Sequence, residues 1–414
     1  MNAEIIAIGS ELLTPFRQDT NSLYLTEKLN ELGVEVVIKT IVGDSRERLV
    51  SVAQHALFRS DIIIFMGGLG PTEDDLTRES VAEALGLVLH RDPEILAKLE
   101  QRFAARGYPF TPNNHKQADV ISGAFVLPNR NGTAPGQWIS GRYEGRERLV
   151  ILLPGPPFEL KALFDEQCFD RLRAKLPAAY IATRVLKVAM LGESAVDARV
   201  APIYKGYPDI QTTILAGAGE IQFTLFTRAD SMEVAQARVD ELAGKIEDEL
   251  EDALYSSNGE SLEQIVGYYL QMRAATLAAA ESCTGGLLGE RITSISGSSR
   301  YFLGGALAYS NELKAEFAGV PPALIAQCGA VSGEVAAAMA EGIRKRCKAT
   351  LGVGITGIAG PTGGTPEKPV GLVYHALASE TGTDVVEKKF PGDRQRVRWF
   401  ASQQALDMVR RKLM

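Results

Sequence analysis

The sequence predicts an α/β protein, with two α/β domains joined by a small α+β unit. Three features point there: short aliphatic runs alternating with amphipathic stretches, glycine-rich turns closing those runs, and a switch to strand-like alternation between residues 184 and 254. A chain of 414 residues exceeds one ordinary core, and usual domain sizes divide it into two or three folding units. We set them at residues 1–175, 176–257 and 258–414.

In the first unit, residues 4–8 read as a strand, 21–32 as a helix, 34–42 as a strand and 61–66 as a strand apolar on both faces. Such a run suits a buried parallel strand, and the Gly67-Gly68-Leu69-Gly70-Pro71 turn after it suits a ligand loop at the strand's carboxyl end. Residues 149–153 repeat the arrangement, closing in Pro154-Gly155-Pro156-Pro157, and residues 158–172 read as a helix. The middle unit offers strands such as 221–227 and a charged amphipathic helix over 231–254. After the turn-rich stretch 256–261 come a helix over 262–273, strands at 276–280, 305–309, 351–355 and 371–377, alanine-rich helical stretches, and a last helix over 394–413.

Composition narrows the function. With 45% hydrophobic and 23% charged residues the chain is a folding, globular one. A net charge of −7 argues against a broad surface for nucleic acid and for small anionic ligands. No run approaches the roughly 18 apolar residues of a membrane span, and the amino terminus lacks a basic leader, so a cytoplasmic location is expected. Cys168, Cys283, Cys328 and Cys347 show no C-x-x-C spacing, which speaks against a zinc ribbon or a disulfide framework.

The densest chemistry is Glu281-Ser282-Cys283-Thr284-Gly285-Gly286, two nucleophile candidates and two glycines after a small apolar run. Breaking a carboxamide takes a nucleophile, a proton acceptor and oxyanion donors. Ser282 can be the first and Lys314 the second, provided that the lysine pKa falls from about 10.4 toward roughly 7 to 8. Tyr309, at a strand end, is placed to face the same pocket as Lys314. N–H groups around Thr284, Gly285 and Gly286 are candidate oxyanion donors. The glycine-rich loop from Thr356 through Gly357, Ala359 and Gly360 permits close approach to a phosphate, and Arg394 stands at a helix start where it can join. Each part also has a plainer reading: Ser282 as a helix cap, Lys314 as a solvated helix residue, Cys283 as packing or as the nucleophile itself.

At these residues the chain closely resembles the CinA family, whose carboxyl-terminal domain is a nicotinamide mononucleotide deamidase of the PncC type. The resemblance spans essentially the whole chain, on the 281–286 block, Tyr309-Ser310-Asn311 with Lys314, Gly329-Ala330-Val331-Ser332, and residues 356–361. It implies Ser282 as nucleophile, Lys314 as base, Tyr309 in support and Asn311 in the substrate site. It further implies conversion of the nicotinamide carboxamide to a carboxylate with release of ammonia and no cofactor.

The amino-terminal third gathers acids and glycines at strand ends: Glu11 after Gly9-Ser10, Asp19 and Asn21, Asp44, and Thr72 with Asp74 and Asp75 after Gly67, Gly68 and Gly70. Carboxylates suit a divalent cation such as Mg²⁺, and glycine turns suit pyrophosphate oxygens; the acids 73–75 could instead cap the next helix. These blocks, with Asn131-Gly132-Thr133-Ala134-Pro135-Gly136 and Pro154-Gly155, resemble the molybdopterin-binding fold of MoaB, MogA and MoeA proteins. In CinA proteins that domain is associated with ADP-ribose pyrophosphatase activity. The resemblance matches Asp44 and Asp75 to metal-binding positions. Pro15 departs from the family's glycine and is expected to alter the loop 14–18. The middle unit resembles the family's KH-like insert but lacks a G-x-x-G clamp, so a hinge or homodimer element fits it better than RNA binding. Two other readings are a non-catalytic protein linked to competence or DNA damage, and a molybdopterin-handling protein.

Overall fold

The computed structural model describes residues 1–176 and 179–414. Contacts divide the chain into two compact units, residues 1–181 with 228–235, and residues 182–227 with 236–414. The middle segment of the sequence therefore packs largely with the carboxyl-terminal one.

In the first unit β1 (Asn2–Ile8), β2 (Glu35–Val42), β3 (Ile62–Met66), β6 (Phe125–Leu127), β7 (Gly136–Tyr143) and β8 (Arg146–Leu153) form a six-stranded sheet, while β4 (Leu89–Arg91) and β5 (Asp119–Ile121) pair separately. The order is β2-β1-β3-β8-β7-β6, parallel from β2 to β8 and antiparallel beyond. Alternate residues of each central strand feed separate cores: Ile5, Ile64 and Ile151 on one face, Ile6, Phe65 and Leu152 on the other. Burial on both faces is what turns these strands into continuous aliphatic runs. The helix expected over 158–172 is interrupted by a wider turn at Phe164–Cys168, between Pro157–Leu163 and Phe169–Lys175.

β9 (Tyr180–Ala189), β10 (Gln211–Gly217), β11 (Glu220–Ala229) and β12 (Leu254–Ser256), which fall mainly within the second unit, form a four-stranded sheet in the order β10-β11-β9-β12. The long helix beside it ends at Leu250, not 254, because the chain leaves it to add β12 antiparallel to β9. The last sheet has the order β14-β13-β15-β16-β17, from β13 (Leu277–Glu281), β14 (Phe302–Leu307), β15 (Leu351–Gly357), β16 (Leu372–Ser379) and β17 (Gly382–Lys389). β13 runs parallel to both β14 and β15, so the carboxyl ends of three strands open on one edge. Small residues set the depth of the layer above: a Cβ at Gly354 would stand 2.3 Å from the Ala336 carbonyl oxygen, so the helix Gly333–Cys347 rests directly on β15. The alanine-rich pattern is thus a close-packing device rather than a propensity effect alone.

Candidate functional site

At the open edge of the last sheet, three chain segments meet. Ser282 N donates to Ile355 O at 3.0 Å and Ala308 N to Glu281 O at 2.8 Å, so the turn after β13 is hung from both neighbouring strand ends. The helix Asn311–Ala318 begins there, capped by Ser310, whose Oγ accepts from Leu313 N at 3.2 Å. One turn in, Lys314 points inward and is 2% exposed. Its Nζ lies 3.1 Å from Ser282 Oγ and 3.1 Å from the Tyr309 carbonyl oxygen. Burial pulls the ammonium pKa below the usual lysine value, against weaker opposing pulls from Cys283 and Glu312. Among the described residues no carboxylate is bonded to Lys314, and its side-chain partner is the Ser282 hydroxyl.

The plainer reading falls away for Lys314, which is buried, and for Ser282, while for Cys283 it holds. Ser282 caps no helix, since the next helix, Leu287–Thr293, starts from Gly286. Cys283 belongs to the hydrophobic core, and burial pushes its thiol up to about 12, which makes it a poor nucleophile.

Other expectations need correction. β14 stops at Leu307, so Tyr309 lies beyond the strand, and its main-chain carbonyl rather than its phenol meets Lys314. The phenol instead accepts from Arg394 Nη2 at 2.9 Å, while Arg394 Nη1 donates to Gly360 O at 2.9 Å. Two proposed oxyanion donors are already engaged: Gly285 N donates to Ser282 O at 3.1 Å and Gly286 N to Glu281 Oε2 at 3.0 Å. The Thr356 hydroxyl donates to Ala330 O at 2.8 Å, and Ala359 is core, so both shape the loop rather than face a ligand. Gly357 lies against the backbone of β16, and Asn311 is exposed at the helix start. Thr284 Oγ1 is buried with no hydrogen-bond partner among the described residues.

The amino-terminal residues converge at the carboxyl ends of β1, β3 and β8. Gly67 follows β3 at φ +100°, and a Cβ there would stand 2.4 Å from Ile8 O, so only glycine lets this loop cross the end of β1. A cavity of about 340 Å³ is lined by Glu11, Asp44, Gly67, Gly68, Gly70, Asp74, Asp75, Thr133, Pro154 and Gly155, and an adjoining one of about 420 Å³ by Glu11, Asp19, Asn21 and Gly155. Asp44 Oδ2 accepts from Ser10 N at 2.7 Å, and Asp75 Oδ2 from Thr72 N at 2.9 Å. Asp75 therefore folds back on its own loop and caps nothing. Asp19 holds the start of the helix Asn21–Glu31 through Ser22 N at 3.0 Å, Asn21 Nδ2 donates to Gly155 O at 2.8 Å, and Gly132 N donates to Asn129 Oδ1 at 2.8 Å. Buried Asn21 Oδ1 and Gln117 Oε1 lack partners among the described residues. No group of three or more ligating side chains is gathered for a metal among those residues.

Three family profiles match: "CinA C-terminal domain" over residues 259–413, "Probable molybdopterin binding domain" over 4–174 and "Damage-inducible protein CinA KH domain" over 183–256. A CinA-like protein of Koribacter versatilis is 64% identical over 413 residues, with 100% of both chains covered. The chain belongs to the CinA family. A second CinA-like protein, from Acidobacterium capsulatum, is 61% identical over 414 residues, again with 100% of both covered. Among solved structures, the competence/damage inducible protein CihA of Agrobacterium tumefaciens is 36% identical, covering 36% of this chain and 90% of its own, with a TM-score of 0.35. No described helix of this CinA chain is long and apolar enough to cross a membrane.

Sequence reasoning missed four side chains that hold these sites. Arg398 donates twice to Thr284 O, at 3.0 and 2.7 Å. Lys368 clasps Cys328 O at 2.9 Å and Val331 O at 2.7 Å, fixing the Gly329–Ser332 block. Arg78, 1% exposed, holds Leu69 O and Gly70 O of the amino-terminal glycine loop. Lys116 reaches Thr72 O and Asp75 O. All four bond main-chain carbonyls, a partner that no sequence pattern announces.

Proposed function

We propose that the carboxyl-terminal site is a serine–lysine amidase that hydrolyses nicotinamide mononucleotide to nicotinate mononucleotide and ammonia. The observation that carries this reading is the buried Lys314 at 3.1 Å from Ser282 Oγ, with no carboxylate bonded to it among the described residues. Neutral Lys314 takes the hydroxyl proton as Oγ attacks the carboxamide carbon. The proton then passes to the departing nitrogen as the C–N bond breaks, and ammonia leaves an acyl-serine. Water attacks that ester, giving its proton to Lys314, which returns it to Ser282. The Thr284 hydroxyl, buried on the same turn, is a donor for the intermediate's oxygen. Arg394 and the loop around Gly360 offer charge and close backbone for the phosphate.

The test is ammonia release from nicotinamide mononucleotide by the purified chain with EDTA present, beside Ser282→Ala. Release by the wild type alone supports the reading. No release by a folded wild type sinks it and favours a non-catalytic role.

A second activity, hydrolysis of ADP-ribose to AMP and ribose 5-phosphate, is proposed for the amino-terminal cavity, because Asp44 and Asp75 line it together with the glycine loop. Two carboxylates fit a largely hydrated Mg²⁺-type cation that draws its remaining ligands from water and substrate phosphates. When bound it would neutralise charge on the pyrophosphate, while the loop amides and Asn21 orient the ends. Loss of AMP release on adding EDTA supports this; binding of molybdopterin with no turnover of ADP-ribose favours the molybdopterin-handling alternative.

A further inference from the structure

We propose that Glu281 is a positioning residue for the amidase, its carboxylate tying the strand before Ser282 to the helix after it and so fixing where Oγ points; this rests on Ser282 being the nucleophile. Glu281 is the last residue of β13 and 3% exposed. Oε2 accepts from Gly286 N at 3.0 Å and Leu288 N at 3.1 Å, and Oε1 accepts from Gly289 N at 2.8 Å. Neither oxygen hydrogen-bonds Ser282 Oγ or Lys314 Nζ, so the residue acts through the backbone and not on the reacting atoms.

The turn needs such a tie. Gly285 and Gly286 take φ of +59° and +90°, and residues of this kind supply no packing of their own to hold the segment. An ordinary cap sits one residue before the helix and would leave residues 282–285 loose. Here the helix Leu287–Thr293 has no side chain at its own cap position, and a carboxylate from the far side of the turn does that work. An ionised carboxyl is an acceptor on every lone pair, which matches three converging N–H groups, whereas an amide would turn its NH₂ against one of them. Arg398 holds the middle of the same turn at Thr284 O, so Ser282 lies in a segment fixed at both ends and at its centre. The Glu281 charge also adds to burial in keeping the Cys283 thiol protonated, which leaves Ser282 as the nucleophile of the pair.

The experiment compares the full-length wild type with Glu281→Gln. It measures kcat and KM for ammonia release, and the rate at which a fluorophosphonate probe labels Ser282, read by mass spectrometry. Thermal melts fix the folded fraction, and Glu281→Asp, which keeps the charge on a shorter stem, runs in parallel should the glutamine variant not fold. A misplaced reacting atom is costly, so kcat and labelling are expected to fall about 30- to 100-fold per folded molecule, with KM within about threefold. Glu281→Asp should fall about tenfold by the same measures. Labelling and kcat within about threefold of wild type in a folded variant, or a loss that only tracks the folded fraction, would overturn the positioning role. A wild type labelled at Ser282 that releases no ammonia defeats the substrate assignment alone, and the labelling ratio still decides on Glu281. A folded wild type that is neither labelled nor active removes the nucleophile, and the proposal with it.

Discussion

Replacing Lys314 by Met tests the amidase reading and its physical basis together. The methionine keeps most of the buried stem and removes the group within 3.1 Å of Ser282 Oγ. Loss of a general base costs about 10²- to 10⁴-fold, so kcat for ammonia release is expected to fall by about 10³-fold or more where the same group also returns the proton to the leaving nitrogen. In the wild type the base must be neutral, so release rises with pH and levels off below the ordinary lysine pKa, because burial lowers it. Stability carries the same signature. A lysine whose folded pKa is depressed is protonated in the unfolded chain at pH values where the folded one has lost its proton, so wild-type stability climbs with pH between the two. Each unit of depression is about 1.4 kcal/mol. Urea unfolding of both proteins should therefore show the wild type gaining on Lys314→Met as pH rises from the folded-state pKa, with the change ending near pH ~10.4. Full ammonia release by the variant would refute the base; a stability gap that does not move with pH would refute the buried, easily neutralised lysine.

Ser282→Ala should abolish ammonia release with its melting curve unchanged, while Cys283→Ala should keep at least about a third of the activity, since the thiol is buried and its pKa is pushed up to about 12; assays of the two side by side identify the nucleophile. Asp75→Ala should remove AMP release from ADP-ribose and spare ammonia release, and equal loss of both would contradict separate sites. Arg78→Met leaves Leu69 O and Gly70 O without their buried donor, so a loss of about 2–4 kcal/mol in urea unfolding is expected, with the amino-terminal activity more sensitive than the carboxyl-terminal one.

Much of this architecture was legible because one physical rule wrote it into the chain. Strands buried on both faces must be free of uncompensated charge throughout, and the runs at 62–66, 149–153 and 351–355 all fall on central strands. Glycine at their ends marked where loops pass close to other backbone. The errors share a cause as well. The sequence presents Tyr309 as a side chain although its carbonyl meets Lys314, and Gly286 as an open donor although Glu281 holds it. Arg78, Lys116, Lys368 and Arg398 escaped notice because their partners are carbonyls, which every residue has.

The sequence alone determined which central segments become buried strands, where the chain turns sharply, and that Ser282 stands just beyond one such strand. Those follow from local rules of burial, period and backbone freedom. Only the tertiary structure decided that Ser282 and Lys314 meet across 32 residues, that the lysine is desolvated there, and which N–H groups of the turn are taken. A pKa and a hydrogen-bond partner are set by what distant segments bring to a point in space, and that arrangement exists only once the sheet has formed.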